Sequence, residues 1–318
     1  MAKPPRKPRT IARATEPAGP AVASPRFFRP ARGQRDLFRP APAFIPVCKP
    51  VLRDKVPAGP KWQYEIKHDG YRIQAHRSGD EVRLFSKSGR DYTTRLPAIA
   101  TAVADLGVDC ILEGEAVILG SEAATDFFAL HAAVAAGHAP EAVFFAFDLL
   151  RLDGEDLRPL PLSDRQARLA TALPPEPSAL MMVEHLADNG ADMHRHACAM
   201  GLEGIVAKRR DRPYRSGPCE DWIKIKCTRV EQFAVIGFDP AGRRGVSSLH
   251  LARLDERGQL RACGSVGSGI GEASSRALRE ALDARQPVVV DVEFRGWTPA
   301  GELRHPVFRG SQADSDDA

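Results

Sequence analysis

Glu65-Ile66-Lys67-His68-Asp69-Gly70-Tyr71-Arg72 sets one lysine between two carboxylates, with an arginine close behind. A lysine amine in water holds its proton up to about pH 10.4 and is then no nucleophile, so a lysine that does covalent chemistry must be tuned by burial or neighbouring charge. Such neighbours are present here. The chemistry open to the octet is therefore covalent catalysis, with Lys67 taking a group from an electrophile. The same residues also have a plainer reading. Asp-Gly is a strong hairpin signal, and 62–66 and 71–77 have the length and apolar pattern of two strands joined at that point.

Either reading needs strands around Lys67, and the pattern from Phe44 onward supplies them. Strands are expected at 62–66, 71–77, 82–86, 110–119 and 142–150, then at 205–208 and 222–226. Helical periods fall between them at 96–106, 126–136, 164–173 and 191–200, with Gly201 as a stop for the last. This interleaving describes an α+β domain. After Thr228 the texture changes to short β-rich runs at 233–238, 248–254, 260–265 and 288–294 around one helix near 274–284, the make-up of a small OB-fold β-barrel. The expected division is a tail at 1–40, a first domain at 41–228 and a second at 229–318.

The 318 residues, 43% of them hydrophobic, suffice for a buried core in each domain. No run of about 18 apolar residues occurs and the N-terminus has no leader-like apolar core, so neither membrane insertion nor export is expected, and the expected compartment is cytoplasmic. Six cysteines, at 48, 110, 198, 219, 227 and 263, form no Cys-x-x-Cys pair and are expected to be reduced and mostly buried. His194, His196 and Cys198 could be read as metal ligands, but alternate positions on a helix point apart. The net charge of +4 conceals an asymmetry: residues 1–40 hold ten Lys or Arg against Glu16 and Asp36, a net of +8, which leaves −4 for the rest. That Pro-, Ala- and Arg-rich tail has no apolar period and is expected to be disordered, either as an arm for phosphate backbone or as a solvated leader.

Five further segments follow the octet. They are Phe85-Ser86-Lys87-Ser88-Gly89-Arg90, Leu112-Glu113-Gly114-Glu115, Phe145-Ala146-Phe147-Asp148-Leu149-Leu150, Glu203-Gly204-Ile205-Val206-Ala207-Lys208 and Trp222-Ile223-Lys224-Ile225-Lys226. Singly, each has an ordinary reading. Phe147 fits a core strand, and Lys224 and Lys226 fit the wet face of a half-buried one. Jointly, and in this order, the six segments resemble the motifs of the covalent nucleotidyltransferases, the superfamily of ATP-dependent DNA ligases, RNA ligases and capping enzymes. Trp62-x-Tyr64-Glu65-Ile66-Lys67 and the late Leu303-Arg304-His305-Pro306-Val307-Phe308-Arg309-Gly310 narrow the resemblance to the bacterial ATP-dependent DNA ligases of non-homologous end joining, the type that accompanies Ku.

That resemblance implies an ATP-grasp-like nucleotidyltransferase domain of antiparallel sheets and helices ahead of the OB fold. It also implies a reaction in which Lys67 attacks the α-phosphorus of ATP and carries AMP as a phosphoramidate. Lys224 and Lys226, two apart on a strand and so on one face, would neutralise the developing phosphate charge. Asp69 and Glu203 would offer hard oxygen ligands to Mg²⁺ or Mn²⁺, directly or through water. Phe147 would present an apolar face to adenine and Glu65 would accept from its amine, with Ile66 and Lys208 completing the nucleotide-binding set. Glu115 would take ribose hydroxyls and Arg72 a ribose or phosphate oxygen, while Lys87 and Arg90 fall to nucleic-acid contacts. The implied substrate is duplex DNA with nicks or breaks, sealed in DNA repair and recombination by a monomer at the bacterial nucleoid. Ku, or separate polymerase and nuclease proteins, are the candidate partners.

Some positions depart from the family's pattern. Lys87 stands where arginine is usual and Glu113 where aspartate is. The stretch after Gly310 reads Ser311-Gln312-Ala313-Asp314-Ser315-Asp316-Asp317-Ala318 in place of a closing Arg-x-Asp-Lys. Two missing cations and three added acids would slow the loading of Lys67, and Arg304 or Arg309 is expected to compensate in part. The rival readings are a capping-type guanylyltransferase or RNA ligase, and a degenerate, non-catalytic DNA-binding homologue.

Overall fold

Strands interleaved with helices from Cys48, then a strand-dominated stretch from Arg229, reproduce the two textures of the sequence. The computed structural model describes residues 43–120, 125–174 and 178–311. The expectations for the tail at 1–40 and for 312–318 lie outside the described residues. In chain order the elements are β1 (Cys48–Leu52), β2 (Trp62–Ile66), β3 (Tyr71–Ser78), β4 (Glu81–Ser86), α1 (Pro97–Ala104), β5 (Cys110–Val117), α2 (Phe127–Ala135), β6 (Val143–Leu152), β7 (Glu155–Asp156), α3 (Leu162–Ala172), β8 (Leu180–Met182), β9 (His185–Leu186), α4 (Gly190–Ala199), β10 (Gly204–Arg209) and β11 (Gly217–Lys226). They continue as β12 (Arg229–Ala241), β13 (Gly245–Leu254), β14 (Leu260–Val266), α5 (Glu272–Asp283), β15 (Val289–Phe294) and β16 (Val307–Ser311). No helix among the described residues is long and apolar enough to cross a membrane.

The strands form three sheets. The first is ordered β1-β11-β10-β2-β9, and the second β4-β3-β5-β6-β7 with β8 beside β6. This arrangement decides between the two readings of the octet. β2 pairs with β10 and β9, whereas β3 pairs with β4 and β5. Residues 67–70 therefore carry the chain from one sheet to the other, and no hairpin forms at Asp69-Gly70. Gly70 is demanded by close approach: a Cβ there would stand 2.2 Å from the Ala116 carbonyl oxygen and 2.7 Å from Val117 Cγ1.

Apolar faces hold the sheets and helices together. Ile73, Ala75, Leu84, Leu112, Phe144 and Leu149 pack with Ile99 and Val103 of α1, Leu130 of α2 and Leu169 of α3. Helix starts follow local chemistry. Pro97 opens α1, where a missing N–H costs nothing, and the Asp126 carboxylate accepts from Ala129 N at the start of α2. In α3 the buried positions are Leu162, Arg165, Gln166 and Leu169, one helical face that carries two polar residues inward. Arg165 is fully buried and grips the equally buried Asp148 of β6 with two hydrogen bonds of 2.7 Å. Its Nη1 also donates to the Leu160 carbonyl, so the charge is solvated from several sides.

The third sheet, ordered β14-β13-β12-β15-β16, packs Phe233, Leu249, Leu251, Val290, Val292 and Phe294 with Leu278 of α5. It is OB-fold-type in content, but among the described residues the barrel expected from the sequence does not close. Its two edges are stitched by single bonds instead of a ladder: Leu303 N donates to the Cys263 carbonyl and Phe308 N to that of Ser268. The cysteine expectation is also corrected. Cys198 and Cys227 are joined by a disulfide, and the other four are free and buried. Their bond was not visible in the spacing because it links the end of α4 to the residue after β11, 29 positions apart.

Candidate active site

A cleft of about 640 Å³ lies between the first two sheets, and most of the residues singled out in the sequence line it. β2 contributes Glu65 and Ile66, the crossing contributes Lys67 and His68, and β3 contributes Arg72. Glu115 comes from β5, Phe147 from β6, Lys208 from β10, and Trp222 and Lys224 from β11, with Lys87 at the rim. Register explains why they meet. Glu65, Val206 and Lys224 stand opposite one another across β2, β10 and β11, and Gln63, Lys208 and Trp222 form the next row on the same face.

Glu65 is almost wholly buried, and its charge is answered in place. Lys208 pairs with one oxygen, while Gln63 Nε2 and Gln166 Nε2 each donate to the other at 3.0 Å. Burial draws the Lys208 ammonium below the ordinary lysine value, even with Glu65 beside it. Phe147 is flanked by two cations, Lys208 Nζ at 4.1 Å and Arg72 Cζ at 4.5 Å from its ring centroid. Arg72 donates to Glu113 at 2.7 Å, and although burial works the other way, Glu113 and Tyr214 hold the guanidinium firmly protonated. Arg72 Nε is buried without a hydrogen-bond partner. A hydroxyl or phosphate oxygen of a bound nucleotide would supply the missing acceptor.

Lys67 is held by Glu203. Its Nζ lies 2.5 Å from Glu203 Oε2, and Lys226 Nζ lies 3.3 Å from Oε1 of the same carboxylate. Burial pushes the Glu203 carboxyl up, but Lys67 and Lys226 more than offset it and the group sits below its ordinary range. Lys226 is itself drawn down, first by burial and then by Arg295 and Lys67, against the pull of Glu203. Glu115 goes the other way: burial raises its carboxyl from 4.5 to about 7, against the opposing charges of Lys67 and Arg72. His68, stacked on Phe145 with centroids 4.2 Å apart, is lowered to about 4 by burial and by Lys67.

A second, smaller cavity of about 120 Å³ adjoins these residues, lined by Asp69 and Glu203 together with Arg295, Arg304 and His305 of the third sheet's last connection. Two carboxylates offering hard oxygens beside a phosphate-sized space fit Mg²⁺ or Mn²⁺ with water completing the shell. One Asp69 oxygen accepts from Arg304 at 2.8 Å.

Of the positions expected from the sequence, Glu65, Ile66, Lys67, Arg72, Lys87, Glu115, Phe147, Lys208 and Lys224 share the large cleft. Asp69 and Glu203 share the small one, and Lys226 joins them through Glu203. Arg90 lines neither cavity; it is exposed, in a turn where its carbonyl accepts from Ser86 N. The sequence reading missed Gln63, Gln166, Tyr214, Arg295 and His68. Gln166 and Gln63 did leave a signal, a polar residue at a core position of an apolar period.

The chain matches two family descriptions, the ATP dependent DNA ligase domain over residues 51–226 and the ATP dependent DNA ligase C terminal region over 242–315. It is 35% identical over 316 residues to the multifunctional non-homologous end joining protein LigD of Pseudomonas aeruginosa, covering 90% of this chain and 38% of that protein. The chain thus spans well under half the length of that relative. Among solved structures, the ligase domain of Mycobacterium tuberculosis LigD is 30% identical with a TM-score of 0.51, covering 85% of this chain and 96% of that one. A mycobacterial DNA ligase D complexed with ATP and MES is likewise 30% identical, with a TM-score of 0.50 and the same coverage of both chains.

Proposed function

From a chain that belongs to the ATP-dependent DNA ligase family, we propose an enzyme that seals breaks in duplex DNA through AMP carried on Lys67. The observation that carries this reading is Lys67 itself. It stands where the nucleotide-sized cleft meets the small carboxylate-lined cavity, aimed by Glu203 and with Lys224 and Lys226 near it. Residues 41–228 are the nucleotidyltransferase domain and 229–318 the OB-fold domain.

Adenine enters beside Phe147 with Glu65 as acceptor for its amine, Glu115 takes ribose hydroxyls, and Arg72 Nε finds its acceptor on the sugar or α-phosphate. Lys67, once its ammonium has lost its proton, attacks the α-phosphorus; the phosphoramidate bond forms as the bond to pyrophosphate breaks. Lys224 and Lys226 offset the charge that builds on the phosphate oxygens. Asp69 and Glu203 are the residues that would hold the divalent ion, which supplies charge neutralisation at the phosphates. AMP then passes to the 5′-phosphate at a break, and the adjacent 3′-hydroxyl displaces it. Lys87 and Arg90 contact the DNA backbone, with affinity that falls as salt rises. The setting is end joining at the bacterial nucleoid in the cytoplasm, with Ku or separate end-processing proteins as partners.

The test is mass spectrometry of purified protein with ATP and Mg²⁺ or Mn²⁺, wild type against Lys67→Ala, with GTP in a parallel arm. One AMP added to the wild type alone is the expected result. An adduct from GTP in preference to ATP would point to a capping-type enzyme, and no adduct with either metal to a non-catalytic homologue.

A further inference from the structure

Cys227 and Thr228 are the whole connection between β11, which carries Lys224 and Lys226, and β12 of the third sheet. Cys227 is tied on two sides. Its N–H donates to the Glu203 carbonyl at 3.0 Å, and its sulfur is bonded to Cys198 near the end of α4. Four residues separate Cys198 from Glu203, so the disulfide closes a ring through the loop that delivers Glu203 to Lys67 and Lys226. Contrary to the divergence expected from the sequence, His194, one turn before Cys198, shares its helix face and sets Nε2 3.5 Å from Cys198 Sγ and 4.0 Å from Cys227 Sγ. Both cysteines of this pair are half-buried, whereas the other four are buried. A small oxidant therefore reaches this pair first.

We propose that Cys198 and Cys227 are a reversible dithiol–disulfide site that clamps the connection into the third sheet, slowing DNA sealing while leaving nucleotide loading intact. The proposal rests on the ligase reading above. In this arrangement Arg304 and His305 cover the Asp69 and Glu203 side of Lys67. A duplex has to reach Lys67, so the third sheet must swing aside, and the torsions of 227–228 are where a two-residue connection absorbs such a swing. The disulfide fixes residue 227 to α4 and removes much of that freedom. ATP needs no such movement, because the large cleft is lined without any residue of the third sheet.

The bond forms by thiol–disulfide exchange. The Cys198 thiol gives its proton to solvent, and the thiolate attacks one sulfur of a low-molecular-weight disulfide, expelling a small thiol. The Cys227 thiolate then displaces the second small thiol. Two protein thiols and one small disulfide become one protein disulfide and two small thiols. In the reducing compartment proposed for this enzyme such a bond is transient, the behaviour of a redox sensor.

The experiment poises the full chain in glutathione buffers from reducing to oxidising. It counts thiols by alkylation and mass spectrometry, and follows both Lys67-AMP formation from ATP and sealing of a pre-adenylylated nick. The oxidised wild type is expected to lose two of its six alkylatable thiols and to load AMP at the reduced rate. Its sealing should slow about tenfold, within the usual range of coupling between sites, and recover with dithiothreitol. Cys198→Ser and Cys227→Ser should each seal at the reduced wild-type rate in every buffer. Sealing that ignores the redox state of the pair, or that slows equally in Cys198→Ser, overturns the switch alone. Absence of Lys67-AMP in both redox states removes the ligase reading and the switch with it.

Discussion

Arg304 Nη1 donates to Asp69 Oδ2 across 2.8 Å, joining residues 235 positions apart in the chain. The guanidinium also lies over the rings of Phe127 and Phe128, 5.3 and 5.1 Å from their centroids, so it is braced as well as paired. Arg309, the other cation that the sequence offered as compensation, is turned away: its Nε donates to Glu293 at 2.8 Å within the third sheet. Position separates two arginines that composition could not.

Arg304→Ala should therefore slow formation of Lys67-AMP about tenfold, the cost of one charge-assisted contact to the triphosphate. Arg309→Ala should leave that rate within about twofold, since rim charges contribute little. Single-turnover adduct formation with labelled ATP reads both. If Arg304→Ala loads at the wild-type rate, Arg304 has no part in the first step.

Glu203 binds Lys67 with one oxygen and Lys226 with the other, so its charge sets the position of both. In Glu203→Gln the two ammonium groups lose their shared anion and repel. Adduct formation should fall about a hundredfold at saturating ATP, the scale of a misplaced nucleophile. A variant with an unchanged maximal rate that only needs more ATP to reach it would make Glu203 a binding residue and not the one that aims Lys67.

How far the sequence could be read depends on the range of the interaction. β2 falls on the expected 62–66, and the motifs at 112–115, 145–150, 204–208 and 222–226 could be recognised because each sits on its own strand, where alternate residues share a face. Gln166 and Arg165 were visible in principle, at the inward positions of α3. β1 and β16 were not anticipated: β1 is short, contains Pro50 and pairs parallel with a strand far along the chain. The Arg304–Asp69 pair, the Cys198–Cys227 bond and the open third sheet each depend on where distant segments meet, which no local period encodes.

Among the described residues Asp148 and Arg165 form the deepest ion pair, both fully buried and joined by two hydrogen bonds. Removing one partner leaves an uncompensated charge in the core, so Asp148→Ala should cost about 3–5 kcal/mol. Combining Asp148→Leu with Arg165→Met should recover most of it, because no charge is then stranded. Urea midpoints of the three proteins decide the matter. A double variant as unstable as the single one would show that the geometry of the pair, and not the stranded charge, sets the cost.

Glu115 supplies a pH dependence whose sign is fixed by its raised carboxyl. The unfolded chain releases this proton near 4.5 and the folded chain at about 7. Below 4.5 both states hold the proton and its stabilising contribution is complete; between the two values only the unfolded state gives it up, and stability is lost as pH rises; above 7 the loss is finished. For a half-buried carboxyl the total is on the order of 2 kcal/mol once screening by water is allowed for. Glu115→Gln copies the protonated form and removes the titration. The stability of the wild type relative to this variant should therefore decline between pH 4.5 and 7.5 and then level off, with all other titrating groups cancelling in the difference. Urea unfolding of the two proteins across that range measures it, and a flat or rising difference would mean that Glu115 is already ionised at low pH, through closer engagement with Lys67 or Arg72.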